Sequence, residues 1–176
     1  MKDFEMSRAQ AGGQFIRSGF ALLFLGFVMS VGMVMHYVVG GQYPTGHDFR
    51  SNVTLWWACP WTLSTAVVLG GSLCMIVIGT VHTSLGRFSV PDVGLATRIA
   101  HWLCVLALVA IFLTGYIGYF VVDAIWPMFY YAPVAEGKNA WLLMQLACIV
   151  VFALGVGVGS LDIWCASRGA ISATPM

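Results

Sequence analysis

The sequence predicts an all-α integral membrane protein, a single four-helix bundle over residues 1–176 with both termini in the cytoplasm. Three observations predict it. Hydrophobic residues make up 60% of the chain and charged residues only 9%. A soluble domain carries about 25% charged residues, so too little charge is present here to cover a water-facing surface. The mean hydropathy of +0.88 agrees. Second, four apolar segments each reach the length of about 20 residues that a hydrocarbon core of roughly 30 Å requires. Third, the basic residues cluster on one side of those segments.

The first span covers residues 20–39, after a polar leader in which Asp3, Glu5 and Arg8 start an interfacial helix. Glycines and Pro44 then break the chain, and Trp56, Trp57 and Trp61 make an aromatic cluster suited to the headgroup level. Three tryptophans so close together point to a partner or a lipid surface as their cover. The second span covers residues 63–81, and a tight turn with Pro91 leads into the third, 99–122. Trp126, Pro127, Tyr130, Tyr131 and Pro133 form a second aromatic belt before the fourth span, 140–163. No span carries a charge in its middle third, and none alternates in polarity as a membrane β-strand does. Gly26 with Ser30 and Gly155 with Gly159 stand four residues apart, a spacing that lets helix backbones approach closely.

Lys2, Arg8, Arg17, Arg87, Arg98 and Arg168 lie on one side, against Arg50 and Lys138 on the other. That asymmetry places the termini in the cytoplasm, in a multi-pass protein of the bacterial inner membrane type. The first span reads as a retained helix rather than a cleaved leader, because its apolar run is long and its flank holds acids. Cysteine contributes little: Cys74, Cys104 and Cys148 fall inside spans, and no C-x-x-C occurs. Asp123 and Asp162 stand at span ends, where a carboxylate reaches water. A net charge of +1 with no basic cluster gives no support for nucleic-acid binding.

Four histidines are the residues able to carry chemistry. An ionisable group inside a membrane is a functional hypothesis by default, since desolvating it is costly. His82 closes the second span and His101 opens the third, at one depth on neighbouring helices. Neutral imidazole is the common axial ligand of heme iron in membrane cytochromes. Arg98, one turn before His101, and Arg87, five residues after His82, are placed to pair with propionates. The alternative is two interfacial histidines reaching to the headgroups. His36 and His47 define a possible outer site. Met29, Met33 and His36 share one helix face, and thioether with imidazole suits copper, although a methionine stripe is also ordinary packing.

Arg98-Ile99-Ala100-His101-Trp102, with Leu113-Thr114-Gly115 closing the apolar run, resembles the R-x-x-H-W…T-G opening of membrane cytochrome b subunits. These are the anchors of the hydrogenase, formate dehydrogenase and bacterial cytochrome b561 type. The resemblance implies a helical bundle holding heme b, with His101 as an iron ligand, that exchanges electrons between a partner redox subunit and quinone. It implies an electron-transfer subunit of an oxidoreductase complex, not a catalytic one. Two other readings stand beside it: a cofactor-free accessory subunit of a larger membrane complex, held to partners and lipid by its aromatic belts, and a membrane subunit with an outer copper site.

The charge asymmetry yields a direct test. Reporter fusions at Met1 and at Met176 should both read cytoplasmic. A periplasmic signal at either end overturns the orientation, and with it the shared depth of His82 and His101.

Overall fold

Ser7 starts the first helix well before the apolar run begins. Its hydroxyl accepts the Gln10 amide hydrogen at 3.2 Å and its carbonyl accepts that of Ala11 at 3.0 Å, the arrangement of a helix N-cap. The computed structural model describes residues 6–39, 60–88, 93–125 and 135–172, with side chains over 6–32, 64–87, 93–115 and 143–168. These form α1 (Arg8–Val39), α2 (Pro60–Leu85), α3 (Leu95–Ile125) and α4 (Ala135–Ser172), and a 3-10 turn, Gly86–Phe88, follows α2. The all-α expectation holds, and each helix contains a stretch long and apolar enough to cross a membrane.

The helices outrun the apolar segments at several ends. The bilayer sets only the apolar length, whereas helical hydrogen bonding continues until something caps or breaks it. Ser7 does so for α1, and Pro60 opens α2 at the position where its missing N–H is harmless. One consequence is that Arg8 is the first residue of α1 itself, while Asp3 and Glu5 lie outside the described residues.

All four helices bury residues spaced alternately three and four apart. On α1 the row is Arg8, Gly12, Phe15, Gly19, Leu22, Gly26 and Met29; on α2 it is Thr65, Val68, Ser72, Met75, Gly79 and His82. On α3 it is Thr97, His101, Cys104, Leu108, Ile111 and Gly115, and α4 continues the rule through Gln145, Gly155 and Gly159. A period near 3.5 is the seam of a left-handed bundle. Phe15, Leu22, Val68, Met75, Cys104, Leu108 and Ile111 form its apolar core.

The closest pair is α1 with α2. Glycines at seven-residue intervals on α1 explain it. A Cβ on Gly12 would crowd Gly79, and one on Gly79 would stand 2.7 Å from the Gly12 carbonyl oxygen and 2.9 Å from the Ile16 nitrogen. Backbone cannot yield there as a side chain could. By contrast α4 leaves Leu143, Val150, Leu154, Leu161 and Trp164 exposed, an apolar face for lipid or a partner.

Gly79→Val should therefore lower the denaturation midpoint in detergent, at a cost of about 1–3 kcal/mol for overpacking. Gly70→Ala, whose Cβ would meet nothing within 4 Å, should leave the midpoint unchanged or raise it. Equal effects would mean that the α1–α2 contact is looser than described.

Candidate functional site

The seams carry polar residues at one end of the bundle, the end where α1 begins and α4 finishes. Arg8 is the first seam residue of α1, His82 the last of α2, and Asp162 follows Gly155 by one heptad on α4. Helices that alternate in direction bring all three to the same level. Arg8 forks onto the Asp162 carboxylate, its two terminal nitrogens donating at 2.7 and 3.3 Å. The first of these nitrogens also donates to His82 Nδ1 at 3.2 Å. Arg8 is 5% exposed, His82 0% and Asp162 25%.

Phe15, two turns into α1, carries the cluster onward. Its ring stacks on His82 with centroids 6.0 Å apart, and meets His101 edge-on at 4.7 Å. His101 Nε2 and Ser18 Oγ are hydrogen-bonded at 3.1 Å, and Trp102 packs edge-on against the same imidazole. Above the site a short antiparallel bridge joins Met6 to Val93, with the Val93 amide donating to the Met6 carbonyl at 3.0 Å. The start of the chain is thereby tied to the α2–α3 connection, beside Arg8.

His82 and His101 are thus both buried and both packed on one phenyl ring, rather than reaching to headgroups. Each keeps one buried ring nitrogen without a hydrogen bond, Nε2 on His82 and Nδ1 on His101. Arg98 is half-buried on α3, and Arg87 is exposed in the 3-10 turn. Met29 is a core residue. The side chains of Met33 and His36, and the whole of His47, lie outside the described residues, as do the aromatic belts. Among the described residues no group of three or more histidines, cysteines or acids gathers as a metal site.

The chain matches no known protein family, no curated protein and no solved structure. What the site does must be argued from its own residues.

Two of those residues escape a reading from span boundaries. Arg8 falls outside the apolar run, and Asp162 stands where a carboxylate reaches water. Carrying the seam spacing one heptad back from Phe15 and one forward from Gly155 finds both.

Heme iron asks for two imidazoles with free nitrogens, and that donor set is present. The space is packed shut, however, because Phe15 contacts both rings. His82 is also held in the wrong tautomer for ligation through Nε2. Arg8 donates to Nδ1, so the ring proton sits on Nε2. Ligation requires the proton to pass to Nδ1, where the Asp162 carboxylate oxygen, now 3.9 Å away, would accept it.

Removing one partner of a buried pair strands the other charge. With Asp162 partly exposed, Arg8→Ala or Asp162→Ala should each cost about 2 kcal/mol, less than the roughly 3–5 kcal/mol of a fully buried pair. The double variant should lose clearly less than the sum. Additive losses in a detergent unfolding titration would mean that the pair contributes nothing as a pair.

Proposed function

We propose that this chain is a membrane-embedded b-type cytochrome subunit, in the cytoplasmic membrane of a bacterium with both termini inside, passing electrons between a partner redox subunit and quinone. One observation carries the reading: two buried imidazoles on α2 and α3, each with an uncommitted ring nitrogen, meet on a single phenyl ring. The Arg98…His101-Trp102…Thr114-Gly115 resemblance supplies the donor and acceptor classes. Heme b, when bound, supplies a one-electron couple.

The protein's own residues would act around that couple. His101 and His82 would hold the heme, and Asp162, whose carboxylate oxygen stands 3.9 Å from His82 Nδ1, would take the second-shell role that carboxylates play for ligating histidines. Arg8 must release His82 while staying on the Asp162 carboxylate. Arg98 is the propionate partner. Phe15 must vacate its position. Displacing a buried phenylalanine toward lipid loses packing rather than exposing it to water, so it costs no more than the roughly 1.5–3 kcal/mol of full exposure, while a ligand of nanomolar intrinsic affinity contributes about 12 kcal/mol.

A second reading is favoured by the packing as it stands. With Phe15 sealing both imidazoles and Arg8 donating to His82, the cluster is a structural lock in a cofactor-free accessory subunit. The exposed face of α4 would then seat a catalytic partner.

The visible spectrum of the purified protein separates the two. The cytochrome reading expects sharp reduced heme bands that His101→Ala abolishes. It further expects Phe15→Ala to bind added heme at least tenfold more tightly than wild type, since the displacement cost is gone. No bands in any variant, with or without added heme, would leave the accessory subunit.

A further inference from the structure

Arg17 stands nine residues beyond Arg8 on α1, roughly 14 Å along the helix axis, inside the stretch apolar enough to cross a membrane. Its side chain is exposed, on the face turned away from the bundle. Asp162 is the one carboxylate among residues with described side chains, and Arg8 takes it. No described side chain pairs with Arg17. An arginine at the margin of the apolar run without a counter-ion finds either water or an anion at the interface.

The surroundings of Arg17 favour the anion. A shallow, open groove runs along this face of α1, lined by Met6, Ala9, Gln10, Gly13, Gln14 and Arg17. Side chains on a helix lean toward its N-terminus, so Arg17 leans back over its i−4 neighbour, Gly13. A Cβ there would touch nothing within 4 Å, and without one the floor is lower still. Gln14 and Gln10 follow on the same face, adding amide donors and acceptors toward the bundle's polar end. The order from depth to surface is a guanidinium, then two amides, then the backbone turn at Met6. A phosphate with a hydroxylated headgroup above it presents groups of matching character, and acyl chains would lie along exposed Phe20, Phe24 and Phe27.

We propose that this groove binds the headgroup of an anionic glycerophospholipid, with Arg17 on the phosphate and Gln14 and Gln10 on the polar head. The pairing is charge-assisted, and such hydrogen bonds are about twice as strong as neutral ones.

Native mass spectrometry of the full chain in detergent, titrated with phosphatidylglycerol, tests this. Wild type should retain the lipid, and Arg17→Gln should weaken retention about tenfold, the size of one charged hydrogen bond. Gln14→Leu should weaken it less. Arg87→Gln, which removes an exposed arginine outside the groove, should leave it unchanged. Circular dichroism of each variant checks that the helices remain. Retention equal in wild type and Arg17→Gln overturns the proposal, as does an equal loss in Arg87→Gln, which would mean diffuse attraction. Displacement of the lipid by inorganic phosphate at comparable concentration would also overturn it, since the site would then take free anion.

Discussion

Between helices surrounded by lipid there is little hydrophobic force to draw one to another, so the closeness of backbone approach decides which pairs form. Here that constraint is met by Gly12, Gly19 and Gly26 on α1 against Gly79 and its neighbours on α2. Everything at the polar end depends on it. With α1 seated deep against α2, Arg8 lies within hydrogen-bonding distance of His82, and Phe15 can lie flat on the same imidazole. A bulkier residue at Gly12 would lift the first turn of α1 and take the guanidinium out of the cluster. The glycines and the charges, far apart in character, are parts of one construction.

Much of the fold was legible because it rests on quantities that add along the chain. Apolar length and charge count predict four membrane-spanning helices, and the described residues hold four long and apolar enough to cross. What escaped was the angular information. Arg8 read as part of a polar leader because its neighbours are polar, yet the Ser7 cap makes it helical and the seam turns it inward. Asp162 read as a boundary carboxylate because its depth is shallow, yet the same seam aims it at Arg8. The pairing of His82 with His101 was expected from depth alone. Depth does not reveal Phe15, a residue on a third helix whose contact with both rings depends on how far α1 sinks toward its neighbour.

The site is a compromise between two demands on one imidazole. As packed, His82 accepts from Arg8 and keeps an unused N–H in an apolar surrounding, at a cost of about 1–3 kcal/mol for the buried unsatisfied group. His101 likewise keeps one nitrogen idle. Buried polar groups in natural proteins are nearly always paired. Two exceptions lie on rings packed against one phenyl group, while Thr65 Oγ1, at the other end of the bundle, is likewise buried without a hydrogen bond among the described residues.

The ion pair between Arg8 and Asp162 joins residues 154 apart in sequence. At synthesis rates of 5–20 residues per second, the ribosome needs roughly 8–30 s to deliver the aspartate after the arginine. Throughout that interval the first helix holds a cation with no carboxylate to meet it at that position, and His82, 74 residues after Arg8, joins it about halfway through. Arrival of α4 supplies the carboxylate that neutralises Arg8. The last helix made is thus the one that completes the electrostatics of the first, and a chain cut short before residue 162 would carry a bare charge as a mark of its incompleteness, the kind of defect that membrane proteases and chaperones can recognise.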